Sequence, residues 1–322
     1  MISQESCGAL LSNCISLSSH DGPGLRTTLF FKGCSLKCKW CHNPETIRKI
    51  PELEWNSRLC IGCRTCSNVC MNDAIDFSAE ATYLIDKKRC IQCFTCVESC
   101  PARALKRIGN MYSLDALEEL VLKEVTLIKS LGGGVTFSGG EPAIQSVFIA
   151  ELSQRLKKKE IHLALDTCGQ VSWEHYRRVL PYMDLILFDL KEMNPVKHLT
   201  FTGADNRLIH ENLHHIAKYI QLHQLPTRIW IRTPLIPGMT ASEENVTAIG
   251  RFINSGFAGY IDKWELCSFN NLCDEKYTRL GIQWELRNNE LLSTKEMENL
   301  LLIAKQSAPS IKQVTASGLN KK

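Results

Sequence analysis

A chain of 322 residues, 44% hydrophobic and 22% charged, suits one large domain, or one domain carrying a smaller insert, around a real core. Its formal charge of +4 is too weak a bias to argue for nucleic acid, and the run Lys157-Lys158-Lys159 reads as the solvated end of a helix. The apolar run Leu185–Phe188 stops at Asp189, far short of the ~20 residues that span a bilayer, and MISQESCGALLSNC at the start has neither the basic opening nor the apolar core of a signal peptide. The expectation is a cytoplasmic protein without nucleic-acid or membrane partners.

In chain order, strands are expected at Thr27–Phe31, Val135–Phe137, Ile161–Leu165, Leu185–Phe188, Ile229–Arg232 and Ile261–Leu266. Helical periodicity fills the gaps at Leu114–Ser130, Ile144–Lys158, Trp173–Leu180, Leu208–Gln221 and Ser242–Asn254, with a late helix at Lys295–Gln306 before a short apolar segment near Ile311–Val314. Ser113 and Ser242 stand where N-caps belong. Such alternation predicts an α/β fold with a mostly parallel sheet. About six βα units are too few for a closed eight-fold barrel, so a partial (β/α)6 TIM-like barrel is expected, with a small α+β insert. In such sheets chemistry gathers at the carboxyl ends of strands. Gly33-Cys34, Ser138-Gly139-Gly140-Glu141, Asp166-Thr167, Asp189-Leu190-Lys191, Pro237-Gly238 and Ser268-Phe269-Asn270 all fall there.

The chain has 16 cysteines. In a reducing compartment, clustered cysteines read as metal ligands rather than disulfides. Eleven lie in three tight groups, while Cys7, Cys14, Cys168, Cys267 and Cys273 are scattered and read as ordinary thiols. Residues 60–70 (CIGCRTCSNVC) and 90–101 (CIQCFTCVESCP) each show C-x2-C-x2-C-x3-C, the spacing of two-cluster bacterial ferredoxins. There the fourth cysteine of each run reaches the other cluster. The expected ligand sets are therefore Cys60, Cys63, Cys66 and Cys100 for one [4Fe–4S] cluster, and Cys90, Cys93, Cys96 and Cys70 for the other. Pro101 follows the second run as in that pattern, and Met71 replaces proline after the first. Paired zinc sites are the bland alternative, but zinc knuckles are usually separated by longer gaps. The runs sit in an insert of ~55 residues, giving boundaries of 1–50, 51–110 and 111–322; the insert serves electron transfer or, alternatively, structure alone.

The third group, Cys34, Cys38 and Cys41 in GCSLKCKWCHN, offers three thiolates. Three can hold three irons of a cube and leave the fourth open to a ligand, the logic of an open position at catalytic zinc.

C-x3-C-x-aromatic-C, with Trp40 as the aromatic, resembles the signature of the radical S-adenosylmethionine (SAM) superfamily. With SHDGPGLRTT at 19–28, GCSLKCKWCHNPE at 33–45 and GVTFSGGEP at 134–142, the chain from about Ser16 to Gly281 resembles the glycyl-radical enzyme activating proteins, in particular their longer, insert-bearing members. The resemblance implies a third [4Fe–4S] cluster on Cys34, Cys38 and Cys41, its open iron chelating SAM. Ser138, Gly139, Gly140 and Glu141 then hold the methionine amino group, and Asp166, Thr167, Asp189 and Lys191 lie near the carboxylate and ribose. A monovalent cation on the two Asp and the Thr is implied too. Arg232 joins the SAM site, Asp21 lies near the glycine loop of a protein substrate, and Asn270 occupies the place of a family histidine, keeping hydrogen bonding without the titratable ring. The implied reaction is reductive cleavage of SAM, then removal of a Cα hydrogen from a glycine of a partner glycyl-radical enzyme, with flavodoxin or ferredoxin as donor. A radical SAM enzyme acting on a small molecule, a dicluster electron carrier and a zinc-binding interaction module are the rival classes.

Overall fold

A computed structural model of the chain describes residues 8–78, 83–257 and 259–321. Cys7 falls outside them. Eleven strands form two sheets: β1 (Ala9–Ser18), β2 (Arg26–Phe31), β3 (Glu52–Trp55), β4 (Leu105–Ile108), β5 (Asn110–Tyr112), β6 (Gly134–Gly139), β7 (His162–Thr167), β8 (Leu185–Asp189), β9 (Arg228–Leu235), β10 (Ile261–Ser268) and β11 (Gln313–Ser317). The large sheet has the order β11-β10-β9-β8-β7-β6-β2-β1-β5. All six expected strands are present and parallel. β11 adds a seventh beside β10, and β1 and β5 pair antiparallel on the other flank.

Period-two alternation sorts the two faces. Leu29, Phe31, Val135, Phe137, Leu163, Leu165, Ile186, Phe188, Ile229, Ile231, Trp264 and Leu266 point to one side and join the main core with the helices. At ~25 cal/mol per Å², this layer is the chief source of folding free energy. The residues between them point inward. Ala164, Leu185, Leu187 and Trp230 make a small apolar plug. One pleat further along, Ser138, Asp166, Asp189 and Arg232 make a polar layer at the strand ends.

Helices alternate with the strands much as expected, at Ser146–Lys157, Trp173–Val179, Arg207–Leu222, Glu243–Gly256 and Thr294–Ser307. The stretch expected as one helix at 114–130 is two, Leu114–Leu122 and Val125–Ser130. It breaks at Glu124, whose φ is −115° and whose carboxylate accepts a 3.1 Å bond from the Thr27 hydroxyl. Ser113 and Ser242 do cap their helices, and Ser293 with Glu296 forms a full capping box. Among the described residues no helix is long and apolar enough to cross a membrane.

The loop after β2 is bonded to the segment after β10, five strands away. Tyr277 Oη donates to Cys41 O at 2.8 Å, and Trp284 Nε1 to Lys39 O at 2.8 Å. In a flat sheet those strands lie about 24 Å apart. The sheet therefore curls into a partial barrel, open between its edge strands β5 and β11, and the two segments meet over its mouth.

The described residues between 52 and 108 include a separate small core with Leu53, Ile75, Leu84, Ile85 and Leu105. β3 and β4 pair antiparallel, so the chain enters and leaves this unit at one place. Two one-turn helices, Thr65–Asn68 and Thr95–Glu98, repeat each other, each preceded by a left-handed residue, Arg64 at φ 59° and Phe94 at φ 64°. The unit is tied to the barrel by a buried Lys32–Glu52 pair at 2.9 Å and by Tyr83 Oη donating to Arg279 O at 2.6 Å. At Gly281, φ is +60° and an added Cβ meets the Tyr83 ring at 2.3 Å. Glycine is required there by both backbone and neighbour.

Candidate active site

One cavity opens at the carboxyl ends of the parallel strands. It draws in Cys34, Cys38, Trp40 and Cys41 from the loop after β2, and Ser138, Gly139 and Gly140 from the end of β6. Asp166 and Thr167 of β7, Asp189 at the end of β8 with Lys191 two residues on, and Arg232 of β9 also line it. The glycines are fixed by contact. A Cβ on Gly139 meets Phe31 O at 2.4 Å, and one on Gly140 meets Gly33 O at 2.3 Å. That close approach carries two cross-links, Gly140 N–H to Phe31 O at 2.9 Å and Glu141 N–H to Gly33 O at 2.7 Å, which set the cysteine loop against β6.

Three expected site residues stand outside the cavity wall. Glu141 is fully buried behind it. Its carboxylate accepts from Thr167 Oγ1 at 2.7 Å, Cys168 N–H at 2.9 Å and Ala143 N–H at 3.1 Å, so it fixes the turn after β7. Burial raises its pKa against those donors. Asn270 turns its side chain to its own loop, accepting from Leu272 N–H at 3.1 Å, while its backbone oxygen lies 3.1 Å from His42 Nε2. The histidine at the cavity is thus His42, from the cysteine loop itself. Asp21 accepts from Ser18 Oγ at 2.7 Å and Thr28 Oγ1 at 2.8 Å on the inner face of β2.

The polar layer is electrostatically matched. Arg232 Nη1 donates to Asp166 Oδ1 at 3.1 Å, and Ser138 Oγ to Asp166 Oδ2 at 2.8 Å. Burial raises the Asp166 pKa, opposed by Arg232, while Asp166 holds the Arg232 guanidinium charged. Lys191 pairs with Asp189. Burial works against its charge, but Asp189 and Cys38 outweigh it and raise its pKa. The three residues expected round a monovalent cation have protein partners: Asp166 with Ser138 and Arg232, Asp189 with Lys191, and Thr167 with Glu141 and Tyr176.

Burial pushes the Cys38 thiol up to about 12 and raises Cys41 as well, so a metal there displaces protons. All fifteen described cysteines are free of disulfides. Among the described residues no three His, Cys, Asp or Glu side chains converge tightly enough to share a single ion. A four-iron cube asks less, because each thiolate takes its own corner.

Two hollows lie in the insert. Cys60, Cys63, Cys66 and Cys100 line one, and Cys70, Cys90, Cys93 and Cys96 line the other. The fourth cysteine of each run has crossed to the other set. Thr65 Oγ1 donates to Cys63 Sγ at 3.4 Å and Thr95 Oγ1 to Cys93 Sγ at 3.5 Å, a repeat of the same contact. Trp55 lines the first hollow, and its indole N–H is buried without a partner, the kind of orphan donor that an acceptor-rich cluster satisfies.

Three of the five scattered cysteines lie at or beside the cavity. Cys168 and Cys267 line the cavity, and Cys273 Sγ lies 3.9 Å from Cys41 O. Sequence spacing gave no signal for them, since Cys168 follows β7 while Cys267 and Cys273 lie in and after β10, far from the cysteine loop in sequence.

Residues 20–184 match the family described as "4Fe-4S single cluster domain". The isethionate sulfite-lyase activating enzyme of Oleidesulfovibrio alaskensis is 36% identical over 271 residues, covering 83% of this chain and 85% of its own. The chain belongs to the glycyl-radical enzyme activating enzymes. The (2S)-3-sulfopropanediol dehydratase activating enzyme of Klebsiella oxytoca is 35% identical, over 87% of each chain. The 4-hydroxyphenylacetate decarboxylase activating enzyme of Clostridium scatologenes is 35% identical, over 88% of this chain and 90% of that one. As a glycyl-radical enzyme activating enzyme, the protein is a radical SAM oxidoreductase that uses a [4Fe–4S] cluster and forms 5′-deoxyadenosine and methionine.

Proposed function

We propose that Cys34, Cys38 and Cys41 ligate the cluster that binds SAM, and that the radical formed there takes a Cα hydrogen from one glycine of a partner glycyl-radical enzyme. The observation that carries this reading is the convergence of the three cysteines with Gly139, Gly140 and the Asp166–Arg232 and Asp189–Lys191 pairs in one cavity, in a chain of this family. A bound cluster and SAM supply the electron and the cleavable C–S bond. The protein's part is placement. Backbone at Gly139 and Gly140 leaves room for an amino-acid head group, and the paired charges give a zwitterion and a ribose preorganised partners. Trp40, Phe269 and Ile236 wall the cavity on the loop side and limit water.

Two further clusters in the insert, on Cys60, Cys63, Cys66 and Cys100 and on Cys70, Cys90, Cys93 and Cys96, relay electrons from a flavodoxin or ferredoxin. The two hollows support the pairing of ligands across the runs. Partners named for the relatives differ in chemistry while their identities are 36%, 35% and 35%. Sequence identity therefore does not select among them, and the reading is of the class of partner.

The test is anaerobic reconstitution with iron and sulfide, followed by reductant and SAM. Formation of 5′-deoxyadenosine, read by chromatography, is expected, and Cys38→Ala abolishes it. Absence of that product from the wild-type protein overturns the reading. With the partner present, a glycyl-radical EPR signal should appear.

A further inference from the structure

The insert is an internal repeat, and its halves differ at one informative place. Trp55 stands opposite Leu105 in the β3–β4 pair, and Ile85 stands opposite Ile75 in the matching bridge of the other half. Each lies five residues before the first cysteine of its run, Trp55 before Cys60 and Ile85 before Cys90. The turns between repeat as well: Asn56 Oδ1 accepts from Arg58 N–H at 3.1 Å, and Asp86 Oδ1 from Lys88 N–H at 2.8 Å. An apolar side chain is enough for packing at this position, since Ile85 fills it at 5% exposure. The first half instead places an indole there and buries its N–H. Among the described residues that N–H has no partner, and its burial keeps water from it. A donor left so costs about 1–3 kcal/mol. The Tyr83 ring, edge-to-face at 5.9 Å, is at most a weak acceptor. The hollow that Trp55 lines is the one walled by Cys60, Cys63, Cys66 and Cys100.

We propose that Trp55 Nε1–H donates to a sulfur of the cluster held by Cys60, Cys63, Cys66 and Cys100, and that this bond raises the reduction potential of that cluster. The proposal rests on the reading of the insert as a pair of cluster sites. Reduction adds negative charge to a cluster and its sulfurs, so a fixed donor stabilises the reduced form more than the oxidised one. N–H donation to a ligand cysteine already occurs in the unit, where Ala74 N–H reaches Cys70 Sγ at 3.3 Å. An indole supplies such a bond without charge and, being a donor only, does not compete for iron. Trp55 also borders the cleft against the helix Asp274–Arg279, whose Tyr277 bonds Cys41 O. The cluster it tunes therefore stands on the side of the insert that supports the cysteine loop.

The test compares reconstituted wild type, Trp55→Phe and Trp55→His in the full chain. Iron and sulfide are counted per chain, and the clusters are followed by EPR-monitored potentiometry, the SAM-site signal being set apart by its response to SAM. The two insert couples are told apart with Cys63→Ser, whose oxygen ligand alters the signal of one set alone. Trp55→Phe keeps a ring beside Tyr83 but has no donor. It should hold full iron, with the Cys60-set couple moved to more negative potential and the other unchanged. In Trp55→His, whose ring N–H can donate, the couple should return toward wild type. Unchanged potentials in Trp55→Phe overturn the proposal. Equal shifts in Trp55→Phe and Trp55→His overturn it too, because lost ring volume then explains both. So does loss of about four irons from Trp55→Phe, which makes the indole a wall of the site rather than a donor. A wild-type chain that takes up only about four irons would instead overturn the reading of the insert as a cluster pair.

Discussion

Single residues at this site do different work from what their place in a motif suggests. Glu141 ends the Ser138-Gly139-Gly140-Glu141 stretch, but it reaches backward to the turn after β7 and leaves the cavity to the glycines. His42 stands in the cysteine loop, where spacing drew attention to the thiols alone, yet it is the histidine that faces the cavity. Both follow from side-chain direction, which a strand-end assignment does not carry. Histidine chemistry also has a consequence away from the site. Burial, with His198 and His214 nearby, lowers His210 from 6.5 to about 4. The unfolded chain therefore binds a proton near pH 6.5 that the folded ring resists until about 4. Stability from this residue is fully present above pH 6.5 and falls as pH drops toward 4. The ring is partly solvated, so the loss is of order 1 kcal/mol rather than the full linkage value. Melting temperatures of wild type and His210→Gln, measured from pH 7.5 to 4.5, should converge as pH falls.

At the scale of elements, the six parallel strands were legible because their apolar runs are short, bounded and regularly spaced by helical periods. β11 was visible only as an apolar hint near Ile311–Val314, because Gln313–Ser317 carries one large apolar residue and is held by its backbone pairing to β10. β1 and β5 gave no signal. β1 is buried over its first three residues and mixed or exposed beyond them, and β5 is a three-residue edge strand. The helix Asp274–Arg279 was likewise unseen, although it joins the cysteine loop to the insert: Tyr277 bonds Cys41 O, and Arg279 O accepts from Tyr83. The site was legible wherever ligand spacing is local and opaque wherever it is assembled from segments far apart in sequence, as with Cys168, Cys267 and Cys273. Gly281 tests the joint between elements. Gly281→Ala should lower stability by about 2 kcal/mol, from the left-handed backbone and the Tyr83 clash together. Thermal melting checks this, and the same change in a Tyr83→Ala background should cost less, because only the backbone part remains.

For the molecule as a whole, the ferredoxin-like spacing and the SAM-type loop predict three cubes, hence about twelve iron and twelve sulfide per chain after reconstitution. Cys93→Ala should reduce iron by about a third. With a chemical reductant it should retain some 5′-deoxyadenosine formation, since the cavity and its three cysteines are untouched. Iron analysis and product quantitation on one sample check both halves, and complete loss of product would show that the insert does more than pass electrons.

Because β3 and β4 run side by side with Glu52 opposite Ile108, the chain leaves the barrel and returns to it within about 5 Å. Excising the residues between those positions and rejoining the ends by a short turn should therefore leave the large sheet unstretched, a prediction that thermal melting of the shortened chain checks. The seam is not neutral. Lys32 is 1% exposed and its ammonium bonds Glu52 and Glu45 O, so a graft that removes Glu52 leaves a buried ammonium without its charge partner. In a chain shortened so as to lose Glu52, replacing Lys32 with a neutral side chain should therefore raise the melting temperature.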